Sequence, residues 1–122
     1  VVNTDSPTIN VFDLSTPASP VFVRDIATAD TLGIHDVSVA NGTLYAAGRG
    51  GPTPGDNLGA VYLYDVQSIA TMDPPLIATI DTPDQTASAC PTYDKERLLV
   101  SQRKIGGALK LYDIQDPQAP VL

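Results

Sequence analysis

Tryptophan is absent from these 122 residues, cysteine and histidine occur once each, and 7 basic residues stand against 14 acidic ones. Each shortage excludes something. A lone Cys90 leaves no internal disulfide and no thiolate metal cluster. A formal charge of −7 repels phosphate backbones and anionic lipid, so neither nucleic acid nor a membrane surface is an expected partner. No apolar run approaches the roughly 20 residues that a membrane-spanning helix requires. With no tryptophan and only two Phe and five Tyr, platforms for stacking sugars are scarce. The sequence opens on Val1 without a charged or apolar leader and stops as an apolar segment starts at Val121-Leu122. The expectation is an internal piece, or a chain whose leader has been removed.

What the chain does have is punctuation. Eleven prolines and nine glycines are spread along it, and the residues between them are mostly Val, Ile, Leu, Thr and Tyr. Short β-forming runs broken by turn residues predict an all-β fold.

Three of those runs superimpose. Thr8-Ile9-Asn10-Val11-Phe12-Asp13-Leu14 matches Ala60-Val61-Tyr62-Leu63-Tyr64-Asp65-Val66, and both match Ala108-Leu109-Lys110-Leu111-Tyr112-Asp113-Ile114. The aspartates recur 52 and 48 residues apart, and similar proline-rich stretches follow them: Pro17-Ala-Ser-Pro20-Val21, Pro74-Pro75-Leu76 and Pro117-Gln-Ala-Pro120-Val121. A fixed period of this length signals a propeller, solenoid or array. Within each copy, alternate residues point to opposite sides, yet both sides are apolar or aromatic. Sheets covered on both faces have this pattern, and stacked propeller blades are such sheets.

Three further strands fit in each period. In the middle unit, 35–39 alternates, Asn41-Gly42 marks a two-residue hairpin turn into 43–47, 60–66 follows, and 76–80 closes the unit. The third unit repeats this with 89–93 and 97–101. The prediction is four-stranded antiparallel blades, about two and a half of them: 1–33 ends one blade, 34–81 is a full blade and 82–122 is most of a third. A closed ring takes about 4 to 8 blades, so the expected object is an incomplete propeller or fragment, or a small protomer that oligomerises. Its expected partners are other blades of the same or neighbouring chains. Asp13, Asp65 and Asp113, each at a strand end, are expected to cap turns by accepting backbone N–H groups.

The run of apolar-x-apolar-aromatic-Asp, then Pro-x-x-Pro-Val, then Leu44-Tyr45-Ala46, resembles the LVIVD repeat. Ile34-His35-Asp36-Val37-Ser38-Val39 is similar to blades of the choice-of-anchor B group. That resemblance implies a propeller of an exported or surface-anchored protein. This sequence departs from it in the insert 48–59, in the stretched turn 67–72 and in the lack of a second His near Ala87-Ser88.

In a propeller the loops joining successive blades (27–34 and 81–86) share one end with those joining second and third strands (48–59 and 102–107). Binding residues concentrate on loops carried by a rigid scaffold. The candidates there are Asp30, His35, Asp36, Arg49, Asp56 and Arg103, with Asp84 and Lys104 nearby. His35 could ligate a divalent metal ion or relay protons; the plainer alternative is a histidine hydrogen-bonded at a strand start. The glycine-rich insert lacks phosphate-loop spacing, and loops of that length usually have a role. Cys90, flanked by Ala89 and Pro91, is expected to be a buried, inert thiol. The tyrosines read as packing between blades.

The functional expectation is a non-enzymatic scaffold or binding module, outside the cell or at its surface, with a protein as partner. The rival is part of a metal-dependent enzyme with its site at the channel mouth.

Overall fold

A computed structural model describes residues 6–55, 58–103 and 107–122. Among the described residues there are nine strands and no helix. β1 (Thr8–Asp13) pairs with β2 (Val21–Ala27). β3 (Ile34–Ala40), β4 (Thr43–Gly48), β5 (Gly59–Asp65) and β6 (Leu76–Thr82) form a four-stranded sheet in that order. β7 (Thr86–Pro91), β8 (Arg97–Gln102) and β9 (Leu109–Asp113) form a third sheet. Every pairing is antiparallel between sequence neighbours, so the chain is a propeller-like arc of three sheets, not a closed barrel.

The repeat extends to the irregularities. Asp13, Asp65 and Asp113 each accept, through Oδ1, the N–H two residues on: Ser15 at 2.7 Å, Gln67 at 3.0 Å and Gln115 at 2.9 Å. Such a carboxylate holds the turn that leaves the strand. The register shifts between Val11 and Phe12 and again between Leu63 and Tyr64, the matching position. Asp13 faces Val21, and Asp113 faces Val121 in an isolated antiparallel bridge. The β3–β4 turn places Asn41 at φ 49° and Gly42 at φ 74°, the left-handed pair that matches strand twist in a two-residue hairpin.

Two packed seams join the sheets. Ile9 and Ile26 of the first sheet lie with Leu44, Ala46, Tyr62 and Tyr64 of the second. On the opposite face of the second sheet, Tyr45, Val61, Leu63 and Ile80 cluster with Leu98, Val100 and Tyr112 of the third. The alternation along β5 thus serves both neighbours, Val61 and Leu63 forward, Tyr62 and Tyr64 backward. Each large side chain buried in this way contributes about 1.5–3 kcal/mol.

Three expectations need correction. The inner strand of the third sheet runs Thr86–Pro91, three residues earlier than 89–93 at its start. Pro91 ends it, and Tyr93 stands fully exposed on the turn instead of packing between sheets. Cys90 is exposed, not buried. It faces Leu99, which faces Leu111, and that row points away from the second sheet, where no sheet among the described residues covers it.

Candidate functional site

The sheet-to-sheet connections and the β4–β5 loop meet at one end of the arc. Thr31 donates its N–H to Gly51 O at 3.0 Å and its hydroxyl to Gly50 O at 2.9 Å. Arg49 N–H reaches Gly33 O at 3.2 Å, and its guanidinium donates to Leu32 O at 3.0 Å. In the next sheet, Arg103 N–H donates to Gln85 O at 2.8 Å.

Asp30 is the centre of this end, and its carboxylate points inward, only 4% exposed. Oδ1 accepts from Leu32 N–H at 2.9 Å and Gly33 N–H at 2.7 Å, while Gly50 N–H lies 3.2 Å from both oxygens. The Tyr62 hydroxyl donates to Oδ2 at a longer 3.4 Å. One carboxylate therefore ties the β2–β3 connection to the β4–β5 loop and to β5. Burial, and then the negative charge of Asp30, push the Tyr62 phenol far above its ordinary range. Burial also raises Tyr45, Tyr64 and Tyr112.

Glycine lets the backbone pass close beneath this carboxylate. A Cβ on Gly48 would lie 2.1 Å from Asp30 Oδ2 and 2.8 Å from the Tyr62 ring. One on Gly50 would meet Thr31 Oγ1 at 2.4 Å and Leu32 N at 2.6 Å. The shorter β6–β7 connection is latched differently. Thr82 and Thr86 hydroxyls meet at 2.8 Å, both buried, and Thr82 also donates to Asp84 O at 2.8 Å. Nothing in the repeat pattern singles out Thr82 and Thr86; only their placement on either side of the three-residue loop 83–85 hints at the contact.

His35 and Asp36 are not brought together on a ligand. β3 bulges between Ile34 and Asp36, leaving His35 as the extra residue. Its Nδ1 lies 2.7 Å from Ala87 O in β7. A carbonyl only accepts, so Nδ1 carries the proton and donates. Asp36 Oδ1 accepts from the N–H of Val37 at 2.9 Å. Arg103 is exposed. Asp56 and Lys104 lie outside the described residues. Among the described residues no group of three or more His, Cys, Asp or Glu is placed to hold a metal ion. An open apolar hollow of about 370 Å³ between the first two sheets is lined by Ile9, Val11, Ile26, Val37, Leu44 and others, with none of the candidate residues.

No family model matches the chain, and no curated protein matches it.

Proposed function

We propose that this chain is a non-enzymatic β-propeller module, a scaffold or binding platform of an exported or cell-surface protein, that meets a protein partner at its loop-bearing end. The occupancy of Asp30 carries this reading. The most buried carboxylate of that end is surrounded by N–H and O–H donors that serve the protein's own loops. It works as a latch, and so do His35 and Thr82. What such latching produces is a stiff rim from which the exposed residues 52–55 project. The acidic balance and the resemblance to the LVIVD repeat support a setting outside the cytoplasm.

Two experiments test it. Metal analysis of the intact protein and of His35→Ala should find no stoichiometric ion in either. An ion bound by the first and lost in the second would overturn the scaffold reading in favour of a metal-dependent enzyme. Protease treatment of intact cells should remove the protein, whereas full protection would overturn the surface assignment.

A further inference from the structure

The two-residue turn between β3 and β4 carries a chemistry that neither the scaffold nor the loop-bearing end uses. Of the four asparagines in the chain, Asn41 alone precedes a glycine; Asn3, Asn10 and Asn57 precede Thr4, Val11 and Leu58. The peptide nitrogen that follows an asparagine can attack its side chain, and glycine, with no Cβ, leaves that nitrogen least shielded. The Gly42 nitrogen bonds to Asn41 Cγ, the Cγ–Nδ2 bond breaks, and the displaced nitrogen leaves as ammonia with the Gly42 proton. Water then opens the cyclic imide at either carbonyl. One opening gives aspartate; the other gives isoaspartate, in which the main chain runs on through Cβ and Cγ. Water is the sole co-reactant.

Asn41 is exposed, so access by water does not limit this reaction. Geometry does. With φ of 49° at Asn41 and 74° at Gly42, the turn is the mirror image of type I, which sets ψ of Asn41 at about +30°. That rotation puts the Gly42 nitrogen nearly opposite to Cβ across the Cα–C bond, whereas the imide ring needs it on the same side. Swinging it there undoes the turn, and its surroundings resist. Ala40 and Thr43, 7% and 5% exposed, pair immediately behind it. Gly42 O accepts from Val66 N–H at 2.8 Å. Gln67 lies against Gly42 so closely that a Cβ there would stand 2.7 Å from its Cγ. The start of the β5–β6 connection thus clamps the β3–β4 turn in its unreactive rotation. The matching turn of the third sheet, Asp94-Lys95, has no side-chain amide to lose.

We propose that Asn41 is a site of spontaneous conversion to aspartate and isoaspartate, and that opening of the β3–β4 turn, clamped by Val66 and Gln67, sets the rate. A folded chain is protected, and a chain that opens locally is marked. The mark also prevents full repair of the turn. Isoaspartate adds a main-chain atom to a two-residue loop, so the Ala40–Thr43 pairing and the Val66 bond do not re-form in their old register.

The test incubates the full chain in mildly alkaline buffer, folded in one arm and unfolded by guanidinium in the other. Conversion at residue 41 is followed by peptide mass, and isoaspartate by enzymatic methylation. The unfolded chain should convert at Asn41 ahead of the other three asparagines. The folded chain should convert there more slowly by about tenfold or more, because only the locally open fraction reacts. Gln67→Ala removes the side chain lying on Gly42 and keeps the N–H that binds Asp65. It should raise the folded rate and leave the unfolded rate alone. A folded chain that converts as fast as the unfolded one overturns the inference. So does a Gln67→Ala chain whose folded rate equals that of wild type. Should Gln67→Ala fail to fold, hydrogen exchange of the Val66 N–H in the wild-type chain poses the same question. Its protection should match the ratio of unfolded to folded conversion rates, and protection unrelated to that ratio overturns the clamp.

Discussion

His35 and Ala87 hold the same place in successive sheets, each the extra residue of a bulge in the inner strand, and the imidazole Nδ1 of the first lies 2.7 Å from the carbonyl oxygen of the second. Below this contact the Ser38 hydroxyl donates to Ala89 O at 2.5 Å. Side chains of β3 thus reach the backbone of β7, and the seam between the sheets is polar along its inner line and apolar farther out. The sole histidine of the chain is used for cohesion between sheets.

His35→Ala should cost about 1 kcal/mol, the net worth of one hydrogen bond, read as a lower urea midpoint at unchanged slope. His35→Asn, which can still donate from a shorter side chain, should recover part of it. A histidine whose removal left stability untouched would not be a seam residue.

The scaffold was legible in the sequence because its signals are local and repeated. Asn41-Gly42 demanded a hairpin, Asp13, Asp65 and Asp113 sit at strand ends, and the alternation along 60–66 was apolar on both sides because both sides are covered. The loop-bearing end was much less legible. Asp30 read as a candidate binding residue, since nothing nearby in sequence announces that Gly50 and Tyr62, 20 and 32 residues away, would donate to it. Cys90 read as buried because Ala89 and Pro91 flank it. Its exposure depends on which face of β7 has a neighbouring sheet, and that is a property of the whole arc.

Lys95→Gly should stabilise the chain by about 0.5–1 kcal/mol. Lys95 sits at φ 61° in the β7–β8 turn, a left-handed conformation in which its Cβ crowds the following carbonyl. Glycine removes that crowding, although it also adds freedom to the unfolded chain, so the gain is smaller than the strain relieved. The equivalent turn already uses Asn41 and Gly42. Thermal and urea unfolding of the single variant would show the gain, and a loss of stability would place the cost of this turn elsewhere.

Stability should fall in alkaline solution. The phenols of Tyr45, Tyr62, Tyr64 and Tyr112 are all raised by burial, while in the unfolded chain they ionise near the ordinary value of about 10. Above that pH the unfolded chain has lost protons that the folded one retains, so unfolding is favoured as pH rises; below it the two states hold the same protons and these groups add no pH dependence. The slope is about 1.4 kcal/mol per pH unit for each phenol still protonated only in the fold. Urea titrations from neutral pH upward should be flat with respect to these groups and then drop above pH ~10. Tyr62→Phe should lessen the drop. A profile unchanged by Tyr62→Phe would mean that this phenol ionises alike in both states.

Asp30 and Gly48 should be coupled. Asp30→Ala leaves the N–H groups of Leu32, Gly33 and Gly50 without their acceptor in a buried place, at about 2–4 kcal/mol in total, given that water can reach part of the loop. Asp30→Asn should cost less, because its amide oxygen still serves Leu32 and Gly33 while only the second oxygen is lost. Gly48→Ala should cost ~1–3 kcal/mol by overpacking, since its new Cβ would meet the carboxylate at 2.1 Å and the Tyr62 ring at 2.8 Å. Truncating Asp30 removes the nearer obstacle but not the ring. The double variant Asp30→Ala with Gly48→Ala should therefore be more stable than the sum of the two losses, by about 0.5 kcal/mol or more. Strict additivity in a double-mutant cycle would mean that the carboxylate does not rest over Gly48 in solution, and Asp30 would again be free to serve a ligand.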